Sequence, residues 1–332
     1  MKDVTATSSA LFKSLPVFKA PTSLVRNYGM VIVLLGVIIT FSLASPFFAT
    51  FQNAVNILNQ VAVIGIVAVG MTFVILTSGI DLSVGSMLAV CSLVSAEFSV
   101  QTDPSLFIKI LAFAAPVVLG AIMGGVNGTL VATGYIAPFV VTLATLGAFR
   151  GFAVWYHANP IYGLPSWYRA LGVESVFGTI PYSVLMYLTV VVLASLTLNR
   201  TKFGRRVYAV GGNEHASRAS GINVARVKFA VYVISGVCVG LAVILQNGRV
   251  GGGQSYAGDG MELRAIAAVI IGGVSLFGGR GSISNAVTGT LVLGVLFNGL
   301  VLLNVPSPIQ VIIIGAILVA AVMFDGIFGR RG

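Results

Sequence analysis

Residues 56–86 read NILNQVAVIGIVAVGMTFVILTSGIDLSVGS, and this stretch contains the pattern that decides the fold. Residues 55–76 form one apolar run, and a helix that spans a membrane needs about 20 mostly apolar residues. A short polar connection follows, with a lone carboxylate at Asp81, before the next apolar run starts at residue 84. The stretch therefore predicts two membrane-spanning helices joined by a short polar connection.

The rest of the chain has the same apolar character. Of its 332 residues, 57% are hydrophobic and 8% are charged, and the mean hydropathy is +1.01. A soluble protein carries about 25% charged residues, so most of this exterior must face lipid. We predict an all-α polytopic transmembrane helix bundle that forms one domain over residues 1–332. Its ten predicted spans are 28–48, 55–76, 84–100, 106–132, 138–156, 182–198, 227–245, 263–276, 286–303 and 309–328, of which the eighth is short.

The basic residues predict the orientation of these spans. With a cytoplasmic N-terminus, 14 of the 19 Lys and Arg residues lie inside, 4 lie outside and one, Arg150, falls within the fifth span. Cytoplasmic loops carry an excess of such residues, so both termini are predicted to be cytoplasmic. The same side receives an N-terminal segment, 1–27, and one long loop, 201–228. The net charge of +10 is thus explained by topology, without nucleic acid.

No catalytic or metal-binding constellation emerges from the sequence. His157 and His215 fall on opposite sides of the membrane in this topology, and the chain has no G-x-x-x-x-G-K-[ST] phosphate loop. Cys91 and Cys238 lie inside apolar runs and have no metal-ligand spacing. We therefore expect a transport protein that is not an enzyme and has no cofactor of its own. Any uphill transport would draw its energy from a partner or from an ion gradient.

Glycines recur at four-residue spacing within several predicted spans. Small residues at this spacing let two membrane helices approach closely. The glycines concerned are Gly120, Gly124 and Gly128 in the fourth span, Gly147 and Gly151 in the fifth, and Gly236 and Gly240 in the seventh.

Three polar segments are candidates for function, and the first is TSGIDLSVGS, residues 77–86. Asp81 and Ser83, bracketed by Gly79 and Gly85, stand where they could cap the free amide groups at the start of the third helix. The alternative is a gate or an ion contact, because ionisable groups at membrane depth are often functional.

The second segment is the loop 201–228. Gly211 and Gly212 permit a sharp turn, Asn213 can cap a short helix, EHASRAS, and Gly221 can end it. That helix carries one acid, Glu214, and small side chains at Ala216, Ser217, Ala219 and Ser220. A short capped helix of small residues suits insertion into a groove on another protein. The alternative is a helix that rests on the bilayer, although it lacks the bulky apolar face of such helices.

The third segment is GDGMELRAIAAVIIGGVSLFGGRGS, residues 258–282. A charged entry leads into the short eighth span, which ends in two glycine pairs: Gly272–Gly273 and Gly278–Gly279. A short helix with glycine breaks is typical of a hinge or a substrate path in transporters. The runs VILTSGIDLSVG and VIIGGVSLFGGRGS also resemble each other, which indicates a possible internal duplication.

Together these blocks resemble the membrane subunits of the ribose/xylose/arabinose/galactose class of bacterial ABC importers. The similarity extends from about Asn53 to the C-terminus and includes NPIYGLP before the sixth span and FGRRVYAVGGNEHASRASGI in the long loop. Two departures are Thr77-Ser78-Gly79, with one glycine before Ile80 where the family often has two, and Arg264, which stands where an acid is common.

The resemblance implies a multi-pass permease of the bacterial inner membrane. Its expected partners are a cytoplasmic ATPase that binds the ATP, a periplasmic sugar-binding protein, a second permease copy or paralogue, and membrane lipid. By the same resemblance, the loop from Gly211 to Ile222 includes the coupling helix that seats in the ATPase. A sugar needs a path of polar groups, since a buried hydroxyl without a partner costs a few kcal/mol. The candidates are Asn56, Gln60, Thr142, Thr145 and Asn298; the alternative role for each is a hydrogen bond between helices.

Two other functions compete with this one. An ion-coupled secondary transporter would use Asp81, Glu97 or Asp325 as a proton or cation site, but these acids are few and stand mostly at helix ends. A passive channel for a small polar solute is the other alternative. The sequence does not reveal which sugar or polyol is carried.

Overall fold

The protein is described by a computed structural model that covers residues 23–328. In this range the chain forms thirteen helices and four strands of two residues each. The helices are α1 (Ser23–Ala44), α2 (Phe51–Leu76), α3 (Val84–Ser99), α4 (Leu106–Ala132), α5 (Pro138–Tyr156), α6 (Ser166–Val173), α7 (Tyr182–Arg200), α8 (Lys202–Gly212), α9 (Glu214–Ala219), α10 (Val224–Val250), α11 (Met261–Ile271), α12 (Ile283–Leu302) and α13 (Ser307–Phe328). The strands are β1 (Ile161–Tyr162), β2 (Ser175–Val176), β3 (Ile180–Pro181) and β4 (Gly252–Gly253), paired as β1–β4 and β2–β3, both antiparallel.

The predicted all-α membrane bundle is confirmed. Within the described part of the chain, six helices are long and apolar enough to cross a membrane, namely α2, α4, α5, α7, α10 and α12, and shorter apolar helices occur at Gly29–Ala44, Val84–Ser99 and Ser307–Met323. The number of spans and the cytoplasmic position of both termini stay predictions, as does the internal duplication. Most of the N-terminal segment 1–27 lies outside the described residues.

Polar residues at the helix starts explain several of these boundaries. The side chain of the residue before the first turn accepts a hydrogen bond from an amide that has no intrahelical partner. Such caps are Thr50 on α2, Ser105 on α4, Asn213 on α9, Asn223 on α10 and Ser282 on α12.

The predicted eighth span, 263–276, corresponds to a helix with different bounds. The helix at this position, α11, has 11 residues, which gives a length of about 16 Å at 1.5 Å per residue. The hydrocarbon core is about 30 Å thick. Segment 251–260, which precedes α11, joins it to α10 without forming a helix. Hydropathy did not reveal this break, because the predicted run is apolar throughout. The left-handed glycines Gly258 and Gly260 lie just before that run.

Helices α2, α3 and α10 form the centre of the bundle. Thirteen of the sixteen residues of α3 are buried, although this helix is nearly as apolar as those that face lipid. Its first turn is in close contact with the segment before α11: a Cβ atom at Gly85 would lie 2.3 Å from the carbonyl oxygen of Gly258. Two helices, α3 and α11, therefore begin side by side in the protein interior.

The predicted glycine contact joins α4 to α10, and we call it the glycine seam (Gly120, Gly124, Gly128, Gly236 and Gly240). A Cβ atom at Gly120 would lie 2.1 Å from the carbonyl oxygen of Gly236, and one at Gly236 would lie 1.9 Å from that of Gly120. The two backbones are thus in direct contact. The predicted contact at Gly147 and Gly151 is absent within the described chain, because a Cβ at either position meets nothing within 4 Å.

Candidate coupling junction and translocation cavity

The structure brings together the three polar segments that the sequence singled out. The end of α8 packs between the turn after α2 and the turn after α11, and we call this contact the coupling junction (residues 76–79, 208–212 and 277–281). The amide of Gly279 donates a hydrogen bond of 3.0 Å to the carbonyl oxygen of Leu76. A Cβ atom at Gly211 would lie 1.7 Å from that same oxygen and 2.6 Å from the Gly279 nitrogen. Three pieces of backbone therefore meet where only glycine fits.

Side chains reinforce the coupling junction. The hydroxyl of Ser78 donates to the carbonyl oxygen of Phe277 at 2.8 Å and lies 3.3 Å from that of Gly211. The hydroxyl of Tyr208 donates to the carbonyl oxygen of Gly281 at 2.8 Å. A displacement of α8 is consequently passed to both turns through hydrogen bonds and direct backbone contact.

The predicted turn at Gly211–Gly212 is wrong, because both glycines are the last residues of α8. The chain bends one residue later, at Asn213, whose backbone is extended (φ −159°, ψ 106°). Glycine is required at position 211 because the close approach to Leu76 leaves no room for a Cβ atom. Packing therefore explains Gly211, whereas a Cβ atom at Gly212 would meet nothing within 4 Å.

The short helix α9 matches its prediction in position and caps. The Asn213 side chain accepts a hydrogen bond of 2.9 Å from the amide of Ala216, and the helix is followed by Gly221 in a left-handed conformation (φ +78°). Ala216 and Ala219 are exposed, whereas Ser217 is buried and Ile222 is partly buried. The outward face of α9 thus includes the small side chains of Ala216 and Ala219 together with exposed His215 and Arg218.

Glu214 ties α9 to the start of α10. Its carboxylate lies 2.7 Å from both Arg218 Nη2 and Lys228 Nζ. Partial burial alone would raise the pKa of Glu214, but hydrogen bonds from Lys228 and Arg218 hold that pKa below its ordinary value of 4.5. Glu214 is therefore ionised at neutral pH and fixes the orientation of the short helix.

Asp81 lies fully buried at the start of α3. Its Oδ1 accepts hydrogen bonds from the amide and the hydroxyl of Ser83, at 3.1 and 2.7 Å, and its Oδ2 accepts one of 3.1 Å from Ser235. Asn127 in turn donates to the Ser83 hydroxyl at 2.7 Å. Ser83 is the N-cap residue by position, yet its side chain makes no capping hydrogen bond. The carboxylate thus holds the start of α3 against α4 and α10.

The other acids offer no cation site in the described residues. No group of three or more His, Cys, Asp or Glu side chains is found there that could hold a metal ion. Glu97 accepts a hydrogen bond from Tyr156, and Asp325 lies where no side chain is described. The predicted hinge glycines Gly273, Gly278 and Gly279 all have positive φ (+101°, +82° and +69°), and Gly272 is the C-cap residue of α11. Gly79 lies against Tyr232 of α10.

A polar cavity of about 540 Å³ lies between α2, the end of α10, segment 251–260 and the start of α11. Its volume falls in the range of about 300–1,000 Å³ that is typical of small-molecule sites. We call it the polar cavity, and its wall consists of Gln60, Val63, Ile64, Gln246, Arg249, Val250, Gln254, Tyr256, Ala257, Gly258, Asp259, Met261 and Arg264.

Of the five predicted path residues, Gln60 lines the polar cavity. Asn298 pairs with Asn53 through reciprocal amide hydrogen bonds of 2.9 and 2.8 Å. Thr142 donates to the carbonyl oxygen of Ile80, and Thr145 to that of Thr142. Asn298 therefore makes the helix-to-helix contact that was the alternative, and Thr142 binds the connection between α2 and α3, while Asn56 is exposed and its role stays a prediction.

The remaining polar wall residues were missed as path residues, because they come from the end of α10, from a connection and from the start of α11. The charged entry at Asp259 and Arg264 was the available signal. Arg150, noted as the one basic residue within a span, donates from Nη1 to the carbonyl oxygens of Ser255 and Ala257 at 2.7 and 3.1 Å. It thereby fixes the wall of the cavity from α5.

Known proteins resemble the chain over most of its length. A family model described as branched-chain amino acid transport system / permease component matches residues 53–322. The ribose import permease protein of Bacillus subtilis (strain 168) is 42% identical over 292 residues, covering 87% of this chain and 89% of the relative. The D-allose transport system permease protein of Escherichia coli (strain K12) is 37% identical over 307 residues, covering 92% and 93%. The xylose transport system permease protein of the same strain is 36% identical, covering 84% and 86%. No solved structure matches the chain.

Proposed function

The chain belongs to the family of branched-chain amino acid transport system permease components, and from this membership we propose that it is the membrane-spanning permease of an ATP-driven importer for a monosaccharide or related polyol. The relatives that are named for ribose, allose and xylose support the sugar class. The protein is a multi-pass protein of the bacterial inner membrane. Its partners are a cytoplasmic ATPase, which binds the ATP, a periplasmic sugar-binding protein and a second permease copy or paralogue.

The coupling junction is the observation that carries this proposal. Helix α9 presents small exposed side chains to the cytoplasmic side in the predicted topology, and Glu214 holds it to α10 through Lys228. Helix α8 immediately precedes α9 in the chain, and Gly211 near its end contacts both Leu76 and Gly279. When the ATPase closes and pulls α9, α8 moves the turn after α2 and the turn after α11 together. ATP hydrolysis in the ATPase is thereby converted into a rearrangement of the translocation path in the permease.

The path itself needs little affinity for sugar. A periplasmic protein that delivers the substrate supplies the capture step, so the permease has only to offer hydrogen bonds that offset desolvation of the hydroxyls. The ion-coupled alternative is less favoured, because the Asp81 carboxylate already accepts three hydrogen bonds from its own chain.

The test is uptake by the reconstituted complex. The chain is purified with its ATPase, placed in proteoliposomes and supplied with the binding protein and radiolabelled D-ribose, D-allose or D-xylose. We expect uptake of at least one sugar that requires ATP and the binding protein and is unaffected by an uncoupler. Uptake that collapses with the uncoupler and persists without ATP would establish a secondary transporter instead. Bidirectional flux through the chain alone would establish a channel.

A further inference from the structure

We propose that the polar cavity is a monosaccharide subsite on the translocation path, in which Gln60, Gln246 and Gln254 recognise sugar hydroxyls and Arg264 supplies a further donor. This inference rests on the proposed function and adds to it the place where the sugar pauses within the permease. The polar wall residues come from helices α2, α10 and α11 and from segment 251–260.

The chemistry of the wall fits a neutral polyol. A hydroxyl both donates and accepts, and a glutamine amide offers one acceptor and two donors in the same plane. Seven of the thirteen wall residues have polar side chains, and three of these seven are glutamines. The remaining polar groups include charges of both signs, because Asp259 is acidic whereas Arg249 and Arg264 are basic. A site built for an anion would not place a carboxylate in its wall, whereas a polyol accepts hydrogen bonds from guanidinium groups and donates to a carboxylate.

Arg264 has an unsatisfied donor at this site. Its Nε atom is buried and makes no hydrogen bond with any residue in the described range, while its guanidinium carbon lies 5.7 Å from the centre of the Phe297 ring. A buried donor without a partner is unfavourable. Nε itself is inaccessible, but the Arg264 side chain lines the cavity, so a sugar hydroxyl there can accept a hydrogen bond from the rest of this guanidinium.

One wall of the cavity is connected to the coupling junction through the chain. Segment 251–260 is not helical, and Arg150 holds it by the carbonyl oxygens of Ser255 and Ala257. Its Gly258 lies against Gly85 at the start of α3, and the connection from the junction to α3 runs through Asp81. A shift of the turn after α2 therefore reaches the cavity wall over a continuous series of contacts.

The first experiment removes single recognition groups from the complete complex. Gln246→Ala and Gln254→Ala are compared with Gln52→Ala, which changes an exposed glutamine on α2 that lies outside the cavity. We expect each cavity variant to lower uptake of the preferred sugar about fivefold, as the loss of one net hydrogen bond predicts. The ratio of ribose to xylose uptake should also change. The ATPase activity stimulated by the loaded binding protein should stay within about twofold of the wild type.

A second set of variants tests Arg264. Arg264→Met should lower uptake, and Arg264→Lys should restore part of it, because lysine returns a positive donor without the planar fork. Equal uptake in Arg264→Met and the wild type, together with unchanged sugar ratios in both glutamine variants, would overturn the subsite. A parallel loss of uptake and ATPase activity for every sugar would also overturn it, since that pattern indicates structural damage.

A second experiment reports occupancy directly. Cys91 and Cys238 are buried, so Gln246→Cys introduces an accessible thiol in the cavity that a charged thiol reagent can label. We expect millimolar concentrations of the imported sugar to slow this labelling but to leave labelling of Thr179→Cys, on the exposed turn between β2 and β3, unchanged. Equal labelling with and without sugar at Gln246→Cys would argue against the subsite. The wild-type uptake assay separates the two hypotheses: its failure refutes both, whereas normal wild-type uptake with unaltered variants refutes the subsite alone.

Discussion

Replacing Gly211 by alanine tests the coupling junction at its tightest point. The new Cβ atom would lie 1.7 Å from the carbonyl oxygen of Leu76, and an ordinary contact begins at about 3.4 Å, so the two backbones must separate by about 1.7 Å. That displacement also stretches the hydrogen bond from Gly279 to Leu76, whose present length is 3.0 Å. Overpacking costs about 1–3 kcal/mol and the hydrogen bond about 1 kcal/mol.

The neighbouring glycine provides the matched control. A Cβ atom at Gly212 meets nothing within 4 Å, so Gly212→Ala adds the same methyl group to the same helix without a clash. Taking about 2 kcal/mol as the difference, we expect a roughly 30-fold smaller population of the correctly coupled arrangement in Gly211→Ala. Sugar uptake by the reconstituted complex should fall accordingly, and the ATPase activity of the complex should no longer respond to the loaded binding protein.

The decisive comparison is between these two variants at equal amounts in the membrane. Gly211→Ala that transports as well as Gly212→Ala would refute the argument that α8 moves the two turns by direct backbone contact. Equal impairment of both variants would refute it as well, because the damage would then follow from the added methyl group in α8 and not from the contact with Leu76.

Three further changes test other contacts. Asp81→Asn replaces an acceptor of three hydrogen bonds, so the protein in detergent should lose about 1–3 kcal/mol of stability; a thermal melt measures this, and uptake should remain insensitive to an uncoupler, contrary to an ion-coupled mechanism. Arg150→Met should raise hydrogen exchange in segment 251–260, because both bonds to its carbonyl groups are lost, and unchanged exchange would contradict the anchoring role. Glu214→Gln should lower the melting temperature at pH 7 by the equivalent of less than about 1 kcal/mol, since the pair with Lys228 is partly exposed. Because the pKa of Glu214 is depressed, that difference is present above its ordinary value of 4.5 and should vanish as the pH falls through the lower pKa of the folded protein.

Much of the fold could be predicted from the sequence because lipid imposes a simple length rule on apolar runs. The fourth and fifth spans were predicted at the bounds of α4 and α5. The same rule was less exact at the bounds of α11, since hydropathy does not record where the backbone leaves the helical conformation. Gly258 and Gly260 have left-handed conformations there, and nothing in the local composition distinguishes them from glycines that pack helices together.

The candidate sites likewise include features that the sequence predicted and features that it did not. Local chemistry identified the cap at Asn213 and the helix end at Gly221, because both act within a few residues. The contact of Gly211 with Leu76 joins residues far apart in the chain, so its sequence suggested only a turn. The polar cavity depends on four separate pieces of chain, and of its wall only Gln60 was predicted as a path residue, because it is a polar group within an apolar span.

The glycine seam between α4 and α10 restricts how this chain can evolve. Glycine has the smallest side chain, so any missense change at these five positions adds volume where a backbone atom already lies, as close as 1.9 Å at Gly236. Faces of the same helices that contact lipid need only remain apolar and are free to drift. Every single-residue substitution within the glycine seam is therefore expected to disturb the contact between α4 and α10, and the sequences of these two helices can diverge only on their outer sides.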